Sequence, residues 1–286
     1  MKKILVCTDG SAFAESIYRY SAWFATKLSA EVTVLSVIDI RSQKMASNNN
    51  LSGAIGLGAS EELLNNLVEI EHQKAKLNHQ KAKLILQKAE TSLREYGVEQ
   101  IKLIGQTGFL VDCLSEFEAE SDLIVLGKRG EGADFATKHL GANLERIVRS
   151  IYKPCLVTTR AFQPIEKVLI AYDGSPTGKK ILDFLIKIPL FQDLELHIIT
   201  VTKSSDDSKI TLLQEAEQKL TAKGLNPICQ TQIGDPEQVI INYAQTQSID
   251  LLLMGAYGHN RIRQLLIGST TLYVLRNTQI PVLLFR

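Results

Sequence analysis

The chain has 286 residues, 45% hydrophobic and 22% charged, a globular balance that excludes a disordered or fibrous protein. That length, against roughly 150 residues per domain, implies two domains, each large enough for its own core. A formal net charge of +1 argues against a duplex-binding protein, which concentrates basic charge on one surface, so no nucleic-acid partner is expected.

The chain opens MKKILVCTDGS, in which two lysines precede an apolar stretch too short for a signal-peptide core. No later apolar run approaches the roughly 20 residues of a membrane helix. A cytoplasmic protein without a membrane partner is expected. The four cysteines, Cys7, Cys113, Cys155 and Cys229, form no C-x-x-C pair, so neither a zinc knuckle nor a redox pair is indicated. Cys7 and Cys155 sit in strand-like runs and read as buried structural thiols.

From Arg41 the chain becomes SNNNLSGAIGLGAS, a stretch of turn formers that reads as a loop. From Glu61 to Glu95 a run of Leu, Glu, Lys and Gln predicts one long helix, explained by ordinary packing or by a cover over the first cleft. His72 and His79 lie seven apart on it, about 10 Å along the axis, too far for one metal ion; a solvated face is the expected reading. Next come SDLIVLGKRG (Ser121 to Gly130) and a closing strand in KPCLVTTR.

In the second half, Val168 to Tyr172 reads as a strand ending at Asp173-Gly174. Ser175 serves as N-cap and Pro176 as first-turn residue of a helix through Ile186. A strand over Leu194 to Val201, a helix over Ile210 to Lys223 closed by Gly224, and a strand over Pro227 to Gln232 follow. Asp235-Pro236 opens a helix to about Gln245. Leu251 to Met254 is a fourth strand, a helix starts from Gly268, and Val282 to Phe285 is the fifth strand.

The chain repeats itself once. KKILVCTDGS is echoed by EKVLIAYDGS from Glu166, SDLIVLGKRG by IDLLLMGAYG from Ile249, and each half ends in a proline-led apolar strand. The domains are expected at 1–160 and 161–286. Asp9 precedes Gly127 by 118 positions and Asp173 precedes Gly255 by 82, so the first half carries 36 extra residues, assigned to an insertion at about 41–77. Strands that are apolar on both faces and alternate with helices imply an α/β fold of two tandem doubly wound domains. Each is a five-stranded parallel sheet of order 3-2-1-4-5. In that order ligands bind at the carboxyl ends of strands one and four, where Asp173 and Gly255 fall.

The stretch GAYGHNRIRQLLIGST places Gly255, Gly258 and Gly268 ahead of Ser269 and Thr270. Glycines let backbone approach a ligand closely, and a helix opening at Gly268 offers free amides and a positive dipole end to an anion. P-loop and Rossmann fingerprints are both absent. Gly, two residues, Gly, nine residues, Gly and then Ser is the nucleotide motif of ATP-binding universal stress proteins. The D-G-S turn and the closing I-P-V-L-L strand are similar to that family too. Over nearly its whole length apart from the insertion, the chain resembles a tandem, two-domain universal stress protein.

That resemblance implies ATP binding in the second half, with Mg²⁺ a candidate companion. Asp173 would face the adenine edge and the backbone of Val201 would meet the same base. Gly255 and Gly258 would line ribose and phosphates, and Gly268, Ser269 and Thr270 would hold the phosphate tail. Arg261 and Arg263 would screen phosphate charge or lie solvated. The first half departs from the pattern. Ten residues rather than nine separate Gly130 from Gly141, and Ala142 replaces the hydroxyl residue. Asn143 could compensate, and Lys128 and Arg129 add charge. Asp9, Val37, Gly127, Gly130 and Gly141 hold the matching positions, but a structural role is the favoured reading there.

A nucleotide-dependent regulatory protein of the stress response is the expected function. No general base is evident and no catalytic residue is assigned, His139 and His259 included. A slow ATPase or phosphoryl hydrolase is one alternative, and a first-domain binder of a hydrophobic metabolite another. The resemblance also implies intramolecular pairing of the two domains through their fifth strands, Cys155 to Thr159 and Val282 to Phe285, and leaves a further homodimer open.

Overall fold

The computed structural model describes residues 1–39, 60–130, 140–204, 207–256 and 267–286. The loop expected after Arg41, Gly258, Arg261, Arg263, His139 and His259 lie outside the described residues.

The first half comprises β1 (Lys3–Cys7), α1 (Ala14–Leu28), β2 (Glu31–Asp39), α2 (Ser60–Glu95), β3 (Ile101–Gly108), α3 (Leu110–Glu118), β4 (Leu123–Gly127), α4 (Ala142–Ser150) and β5 (Cys155–Thr158). The second comprises β6 (Lys167–Ala171), α5 (Pro176–Lys187), β7 (Glu195–Thr202), α6 (Asp207–Thr221), β8 (Ile228–Ile233), α7 (Pro236–Thr246), β9 (Leu251–Gly255), α8 (Ser269–Asn277) and β10 (Val282–Phe285). The helix expected over 210–223 starts three residues earlier, with Asp207 in its first turn where a carboxylate favours the helix dipole.

Each half has the strand order 3-2-1-4-5, as the alternation of elements implied. The two sheets are not separate. β5 and β10 pair antiparallel, Leu156 opposite Leu283, and fuse them into one ten-stranded sheet of order β3-β2-β1-β4-β5-β10-β9-β6-β7-β8. Both Leu156 and Leu283 are fully buried at this seam.

Strands apolar on both sides need cover on both sides. On one face α1, α2, α5 and α6 pack a cluster that includes Val6, Phe24, Leu93, Ile170 and Leu220. On the other face α3, α4, α7 and α8 pack Leu5, Leu114, Ile147, Leu252 and Val274. Both clusters run through the seam, so the halves share their hydrophobic layers. Cys7, Cys113 and Cys155 are buried free thiols, and burial pushes Cys7 up to about 12.

The halves differ most in one helix pair. α2 has 36 residues and its counterpart α6 has 15. Both run down to a glycine of positive φ, Gly97 and Gly224, so the extra length lies at the N-terminal end. At 1.5 Å per residue it extends α2 by about 30 Å.

Candidate functional site

The D-G-S turns close in the same way in both halves. Asp9 Oδ1 accepts from the Ser11 N–H at 3.0 Å, and Asp173 Oδ1 accepts from the Ser175 N–H at 2.9 Å. Between them Gly10 and Gly174 adopt φ of 72° and 78°, a left-handed turn that suits glycine. Each glycine lies under the long-helix layer: a Cβ on Gly10 would stand 2.8 Å from Ile85, and one on Gly174 2.5 Å from Leu212. The chain reversal after strand one therefore sets the helix above the cleft.

Strands one and four are neighbours in each half, β1 beside β4 and β6 beside β9. Their carboxyl ends carry the sequence-predicted residues. In the second half Asp173 is exposed just past β6, Gly255 ends β9, and Val201 lies near the end of β7. Gly268 is the N-cap of α8, with Ser269 and Thr270 in its first turn. The Gly268 N–H donates to the Ala256 carbonyl at 3.1 Å, and the Thr271 hydroxyl donates to the Gly255 carbonyl at 3.0 Å. These bonds hold the α8 N-terminus against the end of β9. Sequence reasoning missed Thr271, whose position inside the helix gave no motif signal.

The first half repeats this frame. The Gly141 N–H donates to the Lys128 carbonyl at 3.3 Å, tying the start of α4 to the end of β4. Here the cleft is a cavity of about 520 Å³. Asp9, Val37, Gly127, Gly130 and Gly141, all five residues placed here by the motif, line it. Asn78, Lys81, Ala82 and Ile85 of α2 form its outer wall. Gly130 sits so close to Asp9 that a Cβ there would stand 2.4 Å from the carboxylate. The volume lies inside the ~300–1,000 Å³ range of small-molecule sites.

Lys128 does not serve this cleft with its side chain. Its Nζ donates to the carbonyls of Thr278 at 2.9 Å and Arg276 at 3.3 Å, at the C-terminus of α8 across the seam. Burial, reinforced by the charge of Arg129, pulls its amine down to about 8. The mirror contact comes from Arg286, whose guanidinium donates to the Arg149 and Ile151 carbonyls at the end of α4, at 3.2 and 3.4 Å. Each half thus caps the last helix of the other, using cations where the helix dipole is negative.

The model of the Universal stress protein family matches residues 1–159 and 164–286. The chain belongs to the universal stress protein family. Slr1230, a universal stress protein of Synechocystis, is 55% identical over 287 residues, with both chains covered in full. The universal stress protein YxiE of Bacillus subtilis is 26% identical over 145 residues, 42% of this chain and 98% of that one. In structure, a universal stress protein from Archaeoglobus fulgidus aligns with a TM-score of 0.73 at 21% identity, covering 99% of this chain and 96% of its own. That likeness establishes the fold of this universal stress protein over its whole length. No helix among the described residues is long and apolar enough to cross a membrane.

Proposed function

We propose that this universal stress protein binds ATP in its second-half cleft and acts as a nucleotide-dependent regulatory protein of the stress response. The observation that carries the reading is the convergence of Asp173, Val201, Gly255 and the α8 N-terminus on one edge of the sheet, where β6 and β9 lie side by side. The first-turn amides of a helix have no partner within the helix, and its dipole favours an anion. Ser269 and Thr270 add hydroxyls beside those amides. The phosphate tail, with any accompanying Mg²⁺, would rest there. Asp173, just past the end of β6, would face the exocyclic amine of adenine.

The cleft offers binding rather than turnover: phosphoryl transfer needs a positioned water and charge stabilisation at the γ-phosphate, and Asp173 sits at the base end. Titration of the full chain with labelled ATP should give saturable binding, lost in the Gly268→Val, Ser269→Ala double variant. Binding that survives the double variant would defeat the proposal.

The first-half cavity favours a second ligand, of a different kind. Its lining includes Ile17, Leu35, Leu126, Leu144 and Ile147, and Ala142 stands where the second half has Ser269. An apolar metabolite suits that lining better than a triphosphate. Native mass spectrometry of purified protein should show a bound mass that disappears when Ala82→Phe fills the cavity.

A further inference from the structure

We propose that α2 pairs antiparallel with the α2 of a second copy of the chain, making its N-terminal extension a dimerisation arm. Along the described part of the arm, every residue from Asn65 to Leu77 is exposed except Leu67, which is half-buried. Most helical stability in proteins comes from packing an apolar face, and this stretch packs little of itself against its own chain. Yet it is not purely polar. Ile70, Leu77 and Leu84 are 46%, 63% and 65% exposed. They recur every seventh residue, within about 20° of one line along the helix. The sequence repeats at the same period, HQKAKLN over 72–78 followed by HQKAKLI over 79–85. A strip at heptad spacing is the pattern by which one helix lies along another.

Charge selects the partner and its direction. Residues 60–71 contain four glutamates and no Lys or Arg, whereas residues 72–88 contain five lysines and no Asp or Glu. The centres of the two blocks are about 22 Å apart along the axis. That is more than twice the ~8 Å screening length at physiological ionic strength, so the blocks do little to neutralise each other within one helix. Among the described residues of the arm, Lys74 pairs with Glu71 at 3.0 Å and Gln73 with Glu69 at 3.3 Å, exposed contacts that contribute little. A parallel copy would stack like on like. An antiparallel copy lays each acidic block on the other's lysines, with the two-fold axis near Gln73. The fifth strands cannot serve as the dimer edge, because β5 and β10 already pair with each other. Of the cavity wall on α2, Asn78, Ala82 and Ile85 lie on another side of the helix and only Lys81 falls beside the strip, so the arm can pair while those three keep the cleft covered.

Sedimentation equilibrium on the full chain should show a reversible dimer that weakens as salt rises. Lys76→Glu with Lys83→Glu should weaken it about tenfold or more, and mixing that variant with a Glu69→Lys, Glu71→Lys chain should restore association as a heterodimer. Gln73→Cys should cross-link to dimer on oxidation, while the unsubstituted chain does not. Circular dichroism and ATP binding report that these surface variants keep their fold. A monomer up to ~100 µM would overturn the proposal. So would a dimer indifferent to the charge variants and without the cross-link, which would place the interface elsewhere. So would a monomer that instead sediments with phosphatidylserine vesicles through the same lysines.

Discussion

The two clefts have one floor and different roofs. In both, an aspartate turn follows strand one, a glycine ends strand four and a glycine starts the last helix, held to strand four by a backbone bond. Above that floor the first half places the 36-residue α2, and the second half the 15-residue α6. The first half has Ala142 where the second has Ser269, and Lys128, turned away to α8, where the second has Ala256. Duplication preserves what the fold needs, namely the strand ends and the turn, while the residues of the proposed ligand site diverge.

Equivalent substitutions in the two halves test this directly, beginning with the largest effect. Gly268→Val with Ser269→Ala should abolish ATP binding, whereas Gly141→Val should leave the number of ATP molecules bound per chain unchanged in the same titration. Equal loss from both would make the clefts functionally alike. Next come the turns, where the halves should respond in the same direction. Gly10→Ala and Gly174→Ala each force a Cβ into a left-handed turn beneath a helix side chain. Each should cost about 1–3 kcal/mol in urea denaturation. Gly174→Ala should cost more, because Leu212 stands 2.5 Å from the new atom and Ile85 2.8 Å.

A smaller effect belongs to the asymmetric capping residue. The amine of Lys128, held down to about 8 from 10.5, is disfavoured in its charged form by folding. The unfolded chain therefore binds the extra proton more readily between those values. Stability should rise as pH climbs from about 8 towards 10.5, and below 8 the penalty is fully present. With the amine only partly buried, the rise should be on the order of 1–2 kcal/mol relative to Lys128→Met. Melting curves of both proteins at several pH values measure it, and parallel curves would mean that Lys128 is not strained by burial.

Much of this fold could be read from the chain because its signals are local. Runs such as ILVC and LLLM, buried on both faces, announce parallel strands, and right-handed crossovers leave one common strand order. The long helix was legible from its composition, and the glycine spacing of the first half pointed to the cavity that Gly127, Gly130 and Gly141 line. What escaped was set by side chains acting across the chain. Lys128 lies within a glycine motif, where the sequence shows only that it adds charge, but its partners are carbonyls 148 and 150 positions away. The cavity of the first half contradicts nothing in its degraded motif. It depends on α2 lying above the sheet edge, and no residue within the motif encodes that. The fusion of ten strands was foreshadowed by the exposed fifth strands, but its antiparallel register follows from where the two halves bring those strands together.

The smallest expected difference comes from one tripeptide. Asp-Gly-Ser occurs in both halves, yet its serines do unlike work. Ser175 is the N-cap of α5, its hydroxyl accepting from the Gly178 N–H at 3.0 Å, with Pro176 pre-set for the first turn. In the first half the helix begins later, Phe13 is the N-cap of α1 without a side-chain cap, and Ser11 accepts a long 3.4 Å bond from the Phe13 N–H. Ser175→Ala should therefore cost about 1 kcal/mol, the usual loss of a capped amide. Ser11→Ala should stay within about 0.5 kcal/mol, as for a surface change away from such features. Urea denaturation of the two variants decides it. If Ser11→Ala proved as costly as Ser175→Ala, the proline that follows Ser175, and Ala12 in its place after Ser11, would not be what separates the two turns.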